Sequence, residues 1–254
     1  MSRAAAASLL LLVGAVGCGG GSDAEAEGDG RVIVSAASSL EPAFSTYAEA
    51  VGIDARQSFA GSDDLAAQIR QGVKPDLYAA ANSSLPAELH ADGLVTKPVV
   101  FASNELVLAA PAGSASTIGS LSDLARDGIT IAIGDEGVPV GDYAREVLAG
   151  LGRPESEAIL ANVRSLEPDV AGIVGKLSQG AVDAGFVYIT DVVAADGDLE
   201  AIELPARLEP EVAYGAAVVE GADNPKGAKE FIAGLLDGAG ADALREAGFG
   251  PPPG

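Results

Sequence analysis

Short apolar runs rich in Val, Ile and Ala alternate along this chain with segments of helical spacing, and that alternation limits what it can fold into. Residues 31–37 read as a strand. Residues 40–51 then place Leu40, Phe44, Tyr47, Ala48 and Val51 on one helical face. Residues 53–58 alternate like a strand, 63–71 like a helix closed by Gly72, 76–80 like a strand and 84–92 like a helix. The middle repeats the theme: strands at 105–110, 129–133 and 184–187, with helices at 121–126, 141–151, 154–161 and 169–179. Strands at 199–204 and 212–219 and helices at 225–236 and 241–247 complete the chain. Such a βαβα order predicts an α/β fold, a parallel sheet covered by helices on both faces, in one lobe or two.

The first residues stand apart. Arg3 gives a basic start, and residues 4–17 are apolar and small. That stretch has the length of a signal-peptide core and is too short for a permanent membrane span. It ends in Ala15-Val16-Gly17-Cys18, which looks like a lipobox, although a larger aliphatic residue is usual where Ala15 stands. A lipobox implies acylation of Cys18; the alternative is a plain secretory signal cut nearby. Cys18 is the only Cys, so no intramolecular disulfide is possible. Residues 19–30 are Gly-, Ala- and acid-rich and read as a flexible tether. About 220 residues remain, enough for one large core or two smaller lobes.

Composition excludes several functions. A formal net charge of −22 disfavours nucleic acid and anionic lipid. The acids are scattered, with no Asp-x-Asp-x-Asp-Gly loop of the calcium kind, so the charge reads as solubility rather than as a cation site. There is no Gly-x-Ser-x-Gly elbow, no His-Glu-x-x-His and no Cys nucleophile. The only His, His90, lies on a helical stretch among Ala, Glu and Asp and reads as a surface residue. The chain therefore reads as a non-enzyme; an exported carboxylate-based hydrolase is the remaining enzymatic alternative.

Four small polar patches fall at helix starts: Ala36-Ala37-Ser38-Ser39-Leu40, Phe59-Ala60-Gly61-Ser62, Val138-Pro139-Val140-Gly141 and Pro168-Asp169-Val170. The last is followed by Gly185-Phe186-Val187-Tyr188. Helix starts leave unpaired N–H groups that favour anions, so a tetrahedral dianion can be held there without a counter-charge. From the residues alone, Ser39 and Ser62 are equally good helix caps, Val140 belongs to a Pro-Gly turn, Val170 is core and Tyr188 is a half-buried phenol.

In order and spacing these patches resemble the ligand-holding segments of the periplasmic molybdate-binding proteins, over residues 32–249. The resemblance implies the two-lobed type II periplasmic-binding-protein fold, with the ligand cleft between lobes joined by two crossing strands, near 103–106 and 204–212. It places the first lobe at 31–104 and 208–250 and the second at 105–207, after a signal peptide at 1–18 and a tether at 19–30. It implies capture of molybdate, and of tungstate, for an ATP-driven importer, with a permease and an ATPase subunit as partners. It implies no cofactor, a monomer, and an exported protein, lipid-anchored through Cys18 or periplasmic. The implied oxyanion ligands are Ser39 (with Ser38 as a possible substitute) and Ser62 through hydroxyl and backbone N–H, Val140 and Val170 through backbone N–H, and the Tyr188 phenol. One departure is Asp63, where the family carries a small polar residue; a carboxylate there is expected to point away from the cleft. Sulfate and phosphate are the alternative ligands. A ferric ion would want several Tyr, a His or carboxylates, and only Tyr188 is well placed.

Overall fold

A computed structural model describes residues 30–113 and 118–253 of the chain. The expected signal peptide, Cys18 and nearly all of the tether lie outside the described residues.

In chain order the elements are β1 (Val32–Ala37), a 3-10 turn (Ser38–Leu40), α1 (Glu41–Val51), β2 (Ala55–Ala60), α2 (Ser62–Arg70), β3 (Leu77–Ala80), α3 (Ser84–Ala91), β4 (Val99–Asn104) and β5 (Leu106–Pro111). A second 3-10 turn (Leu121–Ala125) precedes β6 (Ile131–Gly134), α4 (Pro139–Ala149), α5 (Arg153–Leu160), β7 (Val163–Glu167), α6 (Val170–Ser178), β8 (Ala184–Tyr188), α7 (Ile189–Ala194) and β9 (Leu199–Ile202). A short 3-10 turn, β10 (Val212–Val218), α8 (Pro225–Leu236) and α9 (Ala239–Glu246) end the described chain.

The strands form two five-stranded sheets, ordered β2-β1-β3-β10-β4 and β7-β6-β8-β5-β9. The chain passes from the first sheet to the second through Glu105 alone, between β4 and β5, and returns after β9 to β10. Each sheet is mixed rather than parallel. β10 runs antiparallel to both β3 and β4, and β5 antiparallel to both β8 and β9. The reason is the crossing itself. A strand that arrives from the other sheet, with no helix to turn it round, inserts in the opposite sense to the βαβ units.

Local chemistry explains where elements begin and end. Gly52, at φ 66°, ends α1, and the N–H groups of Gly52 and Ile53 bond to Glu49 and Ala48. This closing motif takes Ile53 out of the strand expected to start there and shifts β2 two residues along. α4 starts at Pro139, whose fixed φ suits a first helical position. Asp169 caps α6 by accepting the Gly172 N–H, and Asn224 caps α8 by accepting the Gly227 N–H.

The first core is aromatic. Phe44, Tyr47 and Phe231 join α1 to α8, with ring centroids 5.2 and 4.7 Å apart. Asp76 is buried as well, accepting from the N–H of Ile33 at 2.8 Å and of Asn224 at 2.6 Å, and so ties β1 to the start of α8. Tyr214 of β10 meets Phe101, Phe249 and, from the other sheet, Tyr188 edge to face.

Candidate functional site

One cleft between the two sheets is lined by Ser38 and Ser39, Gly61 and Ser62, Val138 to Val140, Asp169 and Val170, and Tyr188, together with three Ala residues. All five sequence-predicted positions, Ser39, Ser62, Val140, Val170 and Tyr188, therefore meet at one place. The free volume in the cleft is about 10 Å³. That is below the roughly 300–1,000 Å³ a drug-sized ligand occupies, so its natural occupant is a small ion or molecule.

The lining comes from chain turns that end strands and open helices. Ser38 and Ser39 form the turn between β1 and α1, and Ser62 is the first residue of α2. Val140 is the second residue of α4 and Val170 the first of α6. Four helix starts thus converge. The leading N–H groups of a helix have no intrahelical partner, and each start carries about half a positive charge from the aligned peptide dipoles. No Lys or Arg lines the cleft, so the helix starts are the source of positive partial charge there.

Neither serine acts as a simple cap. No side-chain cap bond starts α1 or α2. Ser39 Oγ lies 2.9 Å from Tyr214 Oη. Ser62 Oγ accepts the Ala81 N–H at 3.0 Å, and its carbonyl accepts the Tyr78 hydroxyl at 2.7 Å. With its oxygen already accepting, Ser62 keeps a hydroxyl proton to donate.

Gly141 serves the fold rather than the cleft. A Cβ there would collide with the carbonyls of Gly134 and Asp135, so the missing side chain lets α4 sit against the end of β6.

Tyr188 is 1% exposed, and its hydroxyl, which the Tyr214 phenol approaches, makes no well-formed hydrogen bond among the described residues. Burial, then the neighbouring Tyr214 and Tyr143, push its pKa well above the usual phenol range, so it is a neutral donor. A buried hydroxyl left unpaired is costly, and its presence beside a cleft points to a ligand. Below it, Asp191 accepts the Tyr188 N–H at 2.9 Å. Burial pushes the Asp191 carboxyl up to about 7; the Tyr188 N–H pulls it down and Asp169 pushes it further up.

Asp63 is absent from the lining. Its Oδ1 is buried without a partner, and it neighbours Gly61. Burial raises its pKa, the N–H groups of Asp63 and Asp64 work against that, and the Asp64 and Asp142 carboxylates add to it.

Asp169 is the lining residue that sequence reasoning missed, having been read only as a helix-start signal. Its Oδ1 is engaged by the Gly172 N–H at 2.8 Å. Asp191 was missed as well, because its place beneath Tyr188 depends on α7, a six-residue helix with no clear period. Among the described residues no three His, Cys, Asp or Glu side chains come together as a metal-ligand group. The donor set favours an acceptor-rich anion.

The bacterial extracellular solute-binding protein family matches residues 32–250. The molybdate-binding protein ModA of Mycobacterium tuberculosis is 30% identical over 256 residues, covering 96% of each chain. ModA of Escherichia coli is 31% identical over 234 residues, 87% of this chain and 89% of its own. The solved periplasmic molybdate-binding protein of Azotobacter vinelandii superposes with a TM-score of 0.75 at 21% identity, over 87% of this chain and all of its own. It shares the two-lobed fold.

Proposed function

The chain belongs to the bacterial extracellular solute-binding protein family, and from that premise we propose that it captures molybdate outside the cytoplasm and hands it to an ATP-driven membrane importer. Tungstate, an oxyanion of nearly the same size, is a second cargo. The protein works by binding alone, as a monomer, and docks on a permease whose ATPase subunit drives uptake. Its N-terminal segment is acylated at Cys18 and holds it to the outer face of the membrane. Among the described residues no helix is long and apolar enough to cross a membrane.

The observation that carries the reading is the convergence of four helix starts and the unpartnered Tyr188 hydroxyl on a small cleft without Lys or Arg. Ser39 and Ser62 from the first lobe, and Val140, Val170 and Tyr188 from the second, surround the ion. Hydrogen bonds to a charged acceptor are the strong ones, and enough of them offset the burial of its charge.

Isothermal titration of the purified protein with molybdate, tungstate, sulfate and phosphate tests this. Tight one-to-one binding of molybdate and tungstate, with none of sulfate, is expected. Binding of sulfate or phosphate instead would move the cargo, and silence with all four would overturn the oxyanion reading.

A further inference from the structure

Tyr214 lies behind the cleft, fully buried in β10 and outside the lining. Its phenol oxygen has two polar neighbours, Ser39 Oγ at 2.9 Å and Asn104 Nδ2 at 3.3 Å. The orientation of the Asn104 amide is fixed by the backbone. The Glu105 N–H donates to Asn104 Oδ1 at 2.9 Å, and a backbone N–H can only donate. Nδ2 is therefore the atom turned inward, and its protons go to Thr190 Oγ1 at 2.9 Å and to Tyr214 Oη.

Tyr214 thus accepts from Asn104 and still has its own proton to place. The Tyr188 hydroxyl, on the neighbouring ring, makes no well-formed hydrogen bond with it. Of the hydroxyl oxygens beside it, Ser39 Oγ at 2.9 Å is the one in hydrogen-bond geometry. A buried hydroxyl proton without an acceptor is costly, so Tyr214 donates to Ser39. The Ser39 proton is then left facing the cleft that Ser39 lines.

We propose that Asn104 and Tyr214 are positioning residues that order the protons from Asn104 through Tyr214 to Ser39 and hold Ser39 as a committed donor to the bound oxyanion. This deepens the molybdate reading and rests on it. It also adds a basis for selection. Ser62 is committed in the same way by the Ala81 N–H. An oxyanion without a proton then meets two committed donors, whereas hydrogen phosphate has to place its own proton against a serine oxygen that already accepts once. The relay reaches from the first lobe to Thr190 in α7 of the second, and Asn104 sits at the single-residue crossing between β4 and β5.

The test measures molybdate and phosphate affinity by titration calorimetry on the intact chain for the wild type, Tyr214→Phe, Ser39→Ala and the double variant. Phe keeps the ring contacts with Phe101 and Phe249. Tyr214→Phe should weaken molybdate about 10-fold, the scale of one charge-assisted hydrogen bond. It should narrow the molybdate-to-phosphate ratio, and it should add nothing in the Ser39→Ala background. Equal weakening in both backgrounds, or an unchanged ratio, would overturn the relay while leaving the molybdate reading intact. A wild type that binds no molybdate would sink that reading and the relay with it. If Tyr214→Phe does not fold, Asn104→Ala leaves every ring in place and should show the same dependence on Ser39; an additive effect would overturn the proposal.

Discussion

Gly61, which caps α2, and Pro168, which precedes α6, meet across the cleft so closely that a methyl group on Gly61 would overlap the Pro168 carbonyl oxygen. The two residues follow strands of different sheets, β2 and β7, so the contact exists only while the lobes are together. Gly61→Ala should therefore weaken oxyanion binding about 10-fold or more, through a closed state that no longer shuts. The thermal midpoint without ligand reports the fold separately. A large drop there would mean that Gly61 matters to folding rather than to closure.

Tyr188→Phe should move stability and affinity in opposite directions. The variant keeps the ring and removes a buried hydroxyl that has no partner in the ligand-free protein. Relief of an unsatisfied polar group is worth about 1–3 kcal/mol, so the denaturation midpoint should rise while molybdate binding weakens. A midpoint that falls would show that the hydroxyl has a partner in the free protein.

Asp191 makes stability depend on pH. Its folded pKa of about 7 lies above the ordinary carboxylate value. Between about pH 4 and pH 7 the unfolded chain has released this proton while the folded one retains it. Stability from this group is therefore present at low pH, is lost as pH rises through that window, and levels off above 7. Asp191→Asn should flatten that slope when urea midpoints are compared across pH. An unchanged slope would place the titration elsewhere.

Asp76→Ala should destabilise the first lobe by about 3 kcal/mol, since hydrogen bonds to a charged acceptor contribute about 1.5–3 kcal/mol each. The variant leaves the N–H groups of Ile33 and Asn224 without their acceptor. Chemical denaturation measures this. A loss under about 1 kcal/mol would mean that water replaces the carboxylate.

A chain of net charge −22 repels a dianion at long range. The association rate should therefore rise with added salt, as screening shortens the reach of that repulsion. Stopped-flow measurement from low to physiological ionic strength checks this; a falling rate would reveal a local positive funnel that outweighs the net charge.

Much of this was legible in the sequence because the βα units are regular and their helix starts carry small polar residues. The five positions that meet in the cleft all stand at element boundaries, where Ser, Pro and Asp announce a turn. Two strands were not legible. β7 turns Ser165 and Glu167 inward, where Glu167 lies 3.6 Å from Lys176, and leaves Leu166 53% exposed. Its polarity is the reverse of what periodicity looks for. β4 follows Pro98 and runs into β5 with only Glu105 between, so two strands in different sheets look like one ragged segment. The roles of Tyr214 and Asn104 depend on partners 86 to 175 residues away, and that of Asp191 on hidden helix geometry; no local pattern encodes such meetings.

Half of the cleft's helix starts bring valines to it, Val140 and Val170, and in the proposed binding mode their amide N–H groups rather than their side chains hold the anion. An amide is shared by every residue but proline. Such positions can drift among apolar residues over evolutionary time with the site intact, so a family built this way would look variable where it binds. Proline, by removing the N–H, would be the one single-residue change able to silence either contact outright.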